Sequence, residues 1–179
     1  MAKRKKAASE SSAPPPPPPP PPPREPKPRF LYVIYINATP ERLWASLTDG
    51  IYTREYWGGR ELESDWQVGS PVIFRKPDGR PDSARALVVA IDMPWRLVMS
   101  WSAGLDGAAA TPPPSRVTFS IERAGPENVK LTVLHEDFQP GEMEAGLRQG
   151  WPAILSSLKS FLETGQALDV TKRWAEAGR

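Results

Sequence analysis

The chain has 179 residues, 39% of them hydrophobic and 25% charged, with a formal net charge of +2. That is enough for one ordinary domain and its core and too little for two. It holds no cysteine, which excludes disulfides and thiolate chemistry, suits a reducing compartment, and makes a cytoplasmic location the expectation. Residues 1–29 carry seven Lys and Arg against Glu10 and Glu25, a net of +5 that leaves −3 on the remaining 150 residues. The basicity belongs to a tail, no basic stripe marks the body, and nucleic acid is not an expected partner.

Residues 1–28 form a basic and proline-rich tail with ten consecutive prolines, Pro14 to Pro23. Proline fixes φ and lacks an amide donor, so the run reads as a polyproline II rod of about 31 Å at roughly 3.1 Å per residue, unable to join a core. It reads as a solvated spacer, with docking to a protein partner as the alternative use. The basic start is not followed by an apolar run of signal-peptide length. No window reaches the roughly 18 apolar residues of a membrane span either, so no membrane insertion is expected.

From Arg29 the periodicity becomes that of a strand, reaching about Asn37, with Phe30, Tyr32, Ile34 and Ile36 alternating with Leu31, Val33 and Tyr35 so that both faces are apolar. Thr39-Pro40 reads as an N-cap with proline in the first helical position. Leu43, Trp44 and Leu47 give that short helix an inward face, and a second helical piece over 51–56 ends at Trp57-Gly58-Gly59. Strands are expected over 60–63, 71–76, 84–91, 95–101, 116–122 and 129–135, separated by turn signals such as Pro77-Asp78-Gly79 and Gly125-Pro126-Glu127-Asn128. Leu97, Met99 and Trp101 share one strand face, as do Val117, Phe119 and Ile121, and Val129, Leu131, Val133 and His135. The Gly/Ala/Pro-rich segment 102–114 reads as a long loop. A long helix follows over 142–163, with Met143, Leu147, Trp151, Ile154, Leu155, Leu158 and Leu162 on one face. Pro152 inside it predicts a kink or a restart. Residues 167–179 read as a polar end, and the domain proper as 29–166.

These pieces assemble into an α+β fold in which a curved antiparallel sheet is closed by two short helices and a long C-terminal helix, leaving room for a cavity between sheet and helix. The wording of the segments narrows this. The run from Tyr35 to Asp49 resembles the opening of the bacterial family named for homology to the activator of heat-shock protein 90 ATPase, in the START and Bet v 1-like (SRPBCC) superfamily. Tyr56-Trp57-Gly58, the segments 65–69, 94–101 and 131–138, and the helix opening with Gly150-Trp151 resemble it too. The similarity spans about 29–166 and departs at Ser70-Pro71, where a second glycine is usual, and at Pro152. The resemblance implies the helix-grip fold and a deep cavity. The co-chaperone for which the family is named also uses a separate N-terminal domain to stimulate the chaperone's ATPase, and residues 1–28 are too short to be one.

His135 is the only histidine and could serve a cavity ligand as hydrogen-bond donor, acid or base, or else bond internally as a structural group. One histidine and no cysteine do not make a zinc site, no Gly-x-Ser-x-Gly elbow or phosphate loop occurs, and no cofactor or metal is expected. The candidate cavity residues are Tyr52, Trp57, Trp66, Phe74, Met99, Trp101, Phe119, Val133, His135, Trp151, Leu155 and Leu158, with no catalytic residue assigned. The expected function is non-catalytic binding of a small hydrophobic molecule, as carrier, sensor or sequestering protein. The alternatives are a cyclase- or hydratase-like enzyme using the cavity and His135 with Glu136 or a tyrosine as proton donor, and a co-chaperone-like interaction module.

Overall fold

The computed structural model describes residues 28–102 and 114–176. The polyproline run and nearly all of the 102–114 loop lie outside the described residues. The elements in chain order are β1 (Arg29–Asn37), α1 (Pro40–Thr48), α2 (Gly50–Tyr56), β2 (Glu61–Glu63), β3 (Pro71–Arg75), β4 (Pro81–Asp92), β5 (Arg96–Ser102), β6 (Ser115–Arg123), β7 (Asn128–Glu136), α3 (Glu142–Thr164) and α4 (Asp169–Glu176). The strands form one antiparallel sheet in the order β1-β7-β6-β5-β4-β3-β2. It is the helix-grip α+β architecture: a curved sheet, two short helices between its edge strands, and a long helix across its concave face.

Register aligns the inward residues into rows. Tyr32 lies opposite Val133, Val133 opposite Phe119, and Phe119 opposite Leu97. The neighbouring row runs from Phe30 through His135, Val117 and Met99 to Val88. Because side chains alternate across a strand, these rows put one face of the sheet into the core. Register shifts at Ile73/Arg75 and Val88/Ala90 interrupt the ladders of β3 and β4, and such irregularities bend and twist a strand. The first strand is not buried on both faces: Leu31 and Tyr35 are 60% and 57% exposed. Only one side of β1 has helices to cover it.

Thr39 caps α1 by accepting a bond from the Arg42 amide at 3.2 Å, and Asp49 caps α2 through the Ile51 amide at 2.9 Å. Thr53 in α2 accepts from the Leu62 amide at 3.0 Å, and the Tyr56 hydroxyl donates to the Ser46 carbonyl at 2.8 Å, tying α2 to β2 and to α1. In α3, Trp151, Leu155, Leu158 and Leu162 are at most 3% exposed. The helix runs unbroken through Pro152. The carbonyl that loses its partner belongs to Arg148, an exposed residue, where water can take the bond, so the missing amide does not end the helix. Gly165 closes α3 in the left-handed region, φ +76°.

The segment expected as a polar end contains α4. Ser157 and Thr171, both fully buried, share a hydrogen bond of 2.8 Å, and the Leu168 amide donates to Ser157 Oγ at 3.0 Å. Trp174 then packs toward the turn after α2. There Gly58 has φ +60°, and a Cβ on it would stand 3.4 Å from the Cβ of Trp174 and 3.3 Å from Arg60 Nη1. The left-handed backbone angle favours glycine at that turn, and a Cβ there would touch Trp174 and press on the end of the Arg60 side chain.

Candidate ligand-binding site

Beneath the middle of α3 the structure is filled. Met99, Phe119, Val133, Leu155 and Leu158 are at most 1% exposed and make solid core with Trp151, whose ring meets Phe119 edge-on at 5.6 Å. These six expected cavity residues are packed in the centre and are not among the cavity's lining residues.

The open space lies at one end, beside the first half of α3. A cavity of about 490 Å³, open to solvent on one side, is lined by Trp57 and Arg60 after α2, Phe74 on β3, Asp82 and Ala84 on β4, and Trp101 on β5. Gly146, Gln149, Gly150 and Ile154 of α3 and Trp174 of α4 complete the wall. Its volume falls within the range of small-molecule sites. Trp57, Phe74 and Trp101 are the sequence candidates that line it. Trp57 and Trp101 stack nearly parallel with centroids 6.3 Å apart, and Phe74 meets Trp101 edge-on at 4.9 Å. A Cβ built on Gly146 or Gly150 meets no atom within 4 Å, so the α3 side of the cavity is unfilled because these residues have no side chain.

The polar edge is an ion pair. Arg60 Nε donates to Asp82 Oδ2 at 2.7 Å, with the side chains 17% and 12% exposed. Burial raises the Asp82 pKa, but the Arg60 bond and charge, the Ser83 amide and the nearby Lys76 outweigh it and hold the carboxyl below its ordinary value.

His135 is fully buried one layer behind the cavity. Trp151 Nε1–H donates to its Nδ1 at 3.1 Å. Indole nitrogen is only a donor, so Nδ1 offers a lone pair and the proton sits on Nε2, which donates to Ser115 Oγ at 2.8 Å. Ser115 in turn donates to the Trp101 carbonyl at 3.0 Å. Every polar atom of the imidazole is thus spoken for within the protein, and desolvation lowers its pKa to about 4. This is the arrangement of a neutral structural histidine that braces two tryptophans. Tyr52, 39% exposed, lies beside Phe161, and Trp66, at φ +51°, packs against the core from the β2–β3 connection. Neither is among the lining residues.

Sequence reasoning had missed Arg60, Asp82, Ala84, Gly146, Gln149, Gly150, Ile154 and Trp174 as site residues. The signal for Trp174 was the spacing of Leu168, Thr171 and Trp174 three apart, with the acidic Asp169 in the first turn, a helical pattern obscured by the polar Thr171.

Residues 37–163 match the family model described as activator of Hsp90 ATPase homolog 1-like protein. The chain belongs to that family. A search of curated proteins finds no match. Among solved structures, this AHSA1-like chain is similar to the Aha1 dimer from Colwellia psychrerythraea, at 20% identity and a TM-score of 0.64, covering 78% of this chain and 98% of that one. An HSP90 activator from Plasmodium falciparum gives 20% and 0.63, covering 75% and 96%. CalU16 from Micromonospora echinospora gives 19% and 0.60, covering 83% and 82%. At these identities the likeness concerns the fold. None of the described helices of the AHSA1-like chain is long and apolar enough to cross a membrane.

Proposed function

We propose that the protein binds a small molecule with a flat apolar body in the cavity beside the first half of α3, without chemical conversion, as a carrier, sensor or sequestering protein. The observation that carries this reading is an open space of about 490 Å³ walled by Trp57, Phe74, Trp101 and Trp174, a concentration of ring faces with few polar groups among them. The only histidine is saturated by Trp151 and Ser115, so the acid–base group that an enzyme reading would use is committed elsewhere.

Native mass spectrometry of the purified protein, followed by thermal melts with the released molecule or with a panel of two-ring aromatics, tests it. A specific ligand raises stability by about 2.7 kcal/mol at one hundred times its Kd. Gly150→Leu, which extends a side chain into the open space, is expected to abolish the shift while the variant stays folded. A panel without any shift, or a shift unchanged in Gly150→Leu, would overturn the reading.

A protein-interaction role is favoured by a different observation: Leu31, Val33 and Tyr35 on β1 are 60%, 43% and 57% exposed, a row of apolar side chains on an outer sheet face. Cross-linking that captures a chaperone through β1 and persists in Gly150→Leu would support that role and leave the cavity dispensable to it.

A further inference from the structure

The charge distribution at the cavity's polar edge goes further than apolar lining alone. Arg60 carries five N–H donors, and among the described residues only its Nε is engaged by a side chain, that of Asp82 at 2.7 Å. The Nη1 and Nη2 amines, part of a cavity-lining residue only 17% exposed at its side chain, have no protein acceptor among those residues. Gly58 keeps one side of this fork bare, since a Cβ there would stand 3.3 Å from Nη1.

Asp82, by contrast, is used up. Oδ2 takes Arg60, and Oδ1 accepts the Ser83 amide at 2.7 Å and the Ser83 hydroxyl at 3.3 Å. Lys76 Nζ stands 3.9 Å from Oδ1. Among the described residues Arg60 and Asp82 are the only charged residues that line the cavity, and Lys76 is not part of the lining, so the charged group with free donors at this edge is the Arg60 guanidinium. A cationic ligand would face the guanidinium directly, and a neutral one would leave its Nη donors to water. An anion with two oxygens in a plane can bridge both Nη groups, the geometry for which a guanidinium fork is suited.

We propose that the cavity selects aromatic carboxylic acids, with the ring system against the tryptophans and the carboxylate on the Nη groups of Arg60. This rests on the reading of the cavity as a ligand site.

Calorimetric titration of the full chain at pH 7 with 2-naphthoate, 2-naphthylmethanol and 2-naphthylmethylammonium separates the two ideas. The acid is expected to bind at least tenfold more tightly than the alcohol, and the ammonium more weakly than either. Arg60→Met should abolish the preference for the acid over the alcohol, read as the ratio of their affinities in the variant. Should Arg60→Met fail to fold because Asp82 is left buried and unpaired, the double substitution Arg60→Met/Asp82→Asn removes both charges and carries the same expectation. Equal binding of acid and alcohol by the unsubstituted protein, or an acid preference that survives the double substitution, overturns selection by Arg60 and leaves the cavity reading standing. Failure of all three ligands to bind at millimolar concentration removes both.

Discussion

His135 provides a quantitative test of how the core is wired, because it is the only histidine in the chain. In the unfolded chain its imidazole takes up a proton near the ordinary value of 6.5, whereas in the folded chain burial defers protonation to about pH 4. Between those values the unfolded state binds the extra proton, so stability falls as the pH drops through the window and is unaffected above it. At about 1.4 kcal/mol per pH unit, the loss reaches roughly 3 kcal/mol by pH 4. Roughly 2 kcal/mol of it falls between pH 7 and pH 5. The carboxylates whose pKa values are lowered, Glu63, Asp78, Asp82 and Glu163, act with the same sign but lower on the scale. Their stabilisation is present above the ordinary carboxylate range and lost below it, so the interval from pH 7 to pH 5 belongs mainly to the histidine.

The assay is urea unfolding at pH 7, 6 and 5 of the unsubstituted protein and of His135→Gln. The Gln amide can accept from Trp151 and donate to Ser115 without titrating. The unsubstituted protein should lose about 2 kcal/mol more than the variant over this range, whatever the offset between them at pH 7. Parallel pH dependences would refute the reasoning, since they would mean that the folded imidazole accepts a proton as readily as the unfolded one.

Trp151→Phe keeps a ring in the core but removes the donor to His135 Nδ1 at 3.1 Å. Leaving that buried acceptor unpaired should cost about 1–3 kcal/mol beyond the change in volume, read as a shift in urea midpoint with unchanged slope. In the exposed first half of α3, Gly146→Ala adds a methyl where no atom lies within 4 Å. It should stabilise the protein by about 0.5–1 kcal/mol through helix propensity, a rise in Tm of a few degrees by calorimetry.

The architecture was legible because its signals are periodic. Val129, Leu131 and Val133 at spacing two, and Ile154, Leu155, Leu158 and Leu162 at helical spacing, each state which side of their element is apolar, and all of them are at most 9% exposed. The site was less legible for a physical reason. Periodicity says that Met99, Phe119 and Leu158 point inward, but not whether the space they reach is filled. That depends on how far each row lies from the place where α3 leaves the sheet. Arg60 and Asp82 are 22 residues apart and meet only because the β2–β3–β4 meander folds one past the other. Pro152 does not restart the helix: the rule concerning a missing amide is local, whereas the fate of the Arg148 carbonyl depends on its exposure.

The filled centre and the open end are connected by one chain of bonds. Trp101 faces the cavity on one side, and its carbonyl holds Ser115, which holds His135, which holds Trp151. Trp151 in turn meets Trp57 edge-on at 5.6 Å, and Trp57 is again a cavity wall. The two parallel indoles at the site are therefore backed by the Trp151 ring, itself held by an imidazole with no spare donor or acceptor. A rigid wall reduces the ordering cost of binding a flat guest. On the opposite side the wall is glycine and a short helix, with α4 held by the Ser157–Thr171 bond and by the space that Gly58 leaves for Trp174. The cavity thus has an aromatic back bonded into the sheet and a front built from α4 and the glycine-bearing first half of α3.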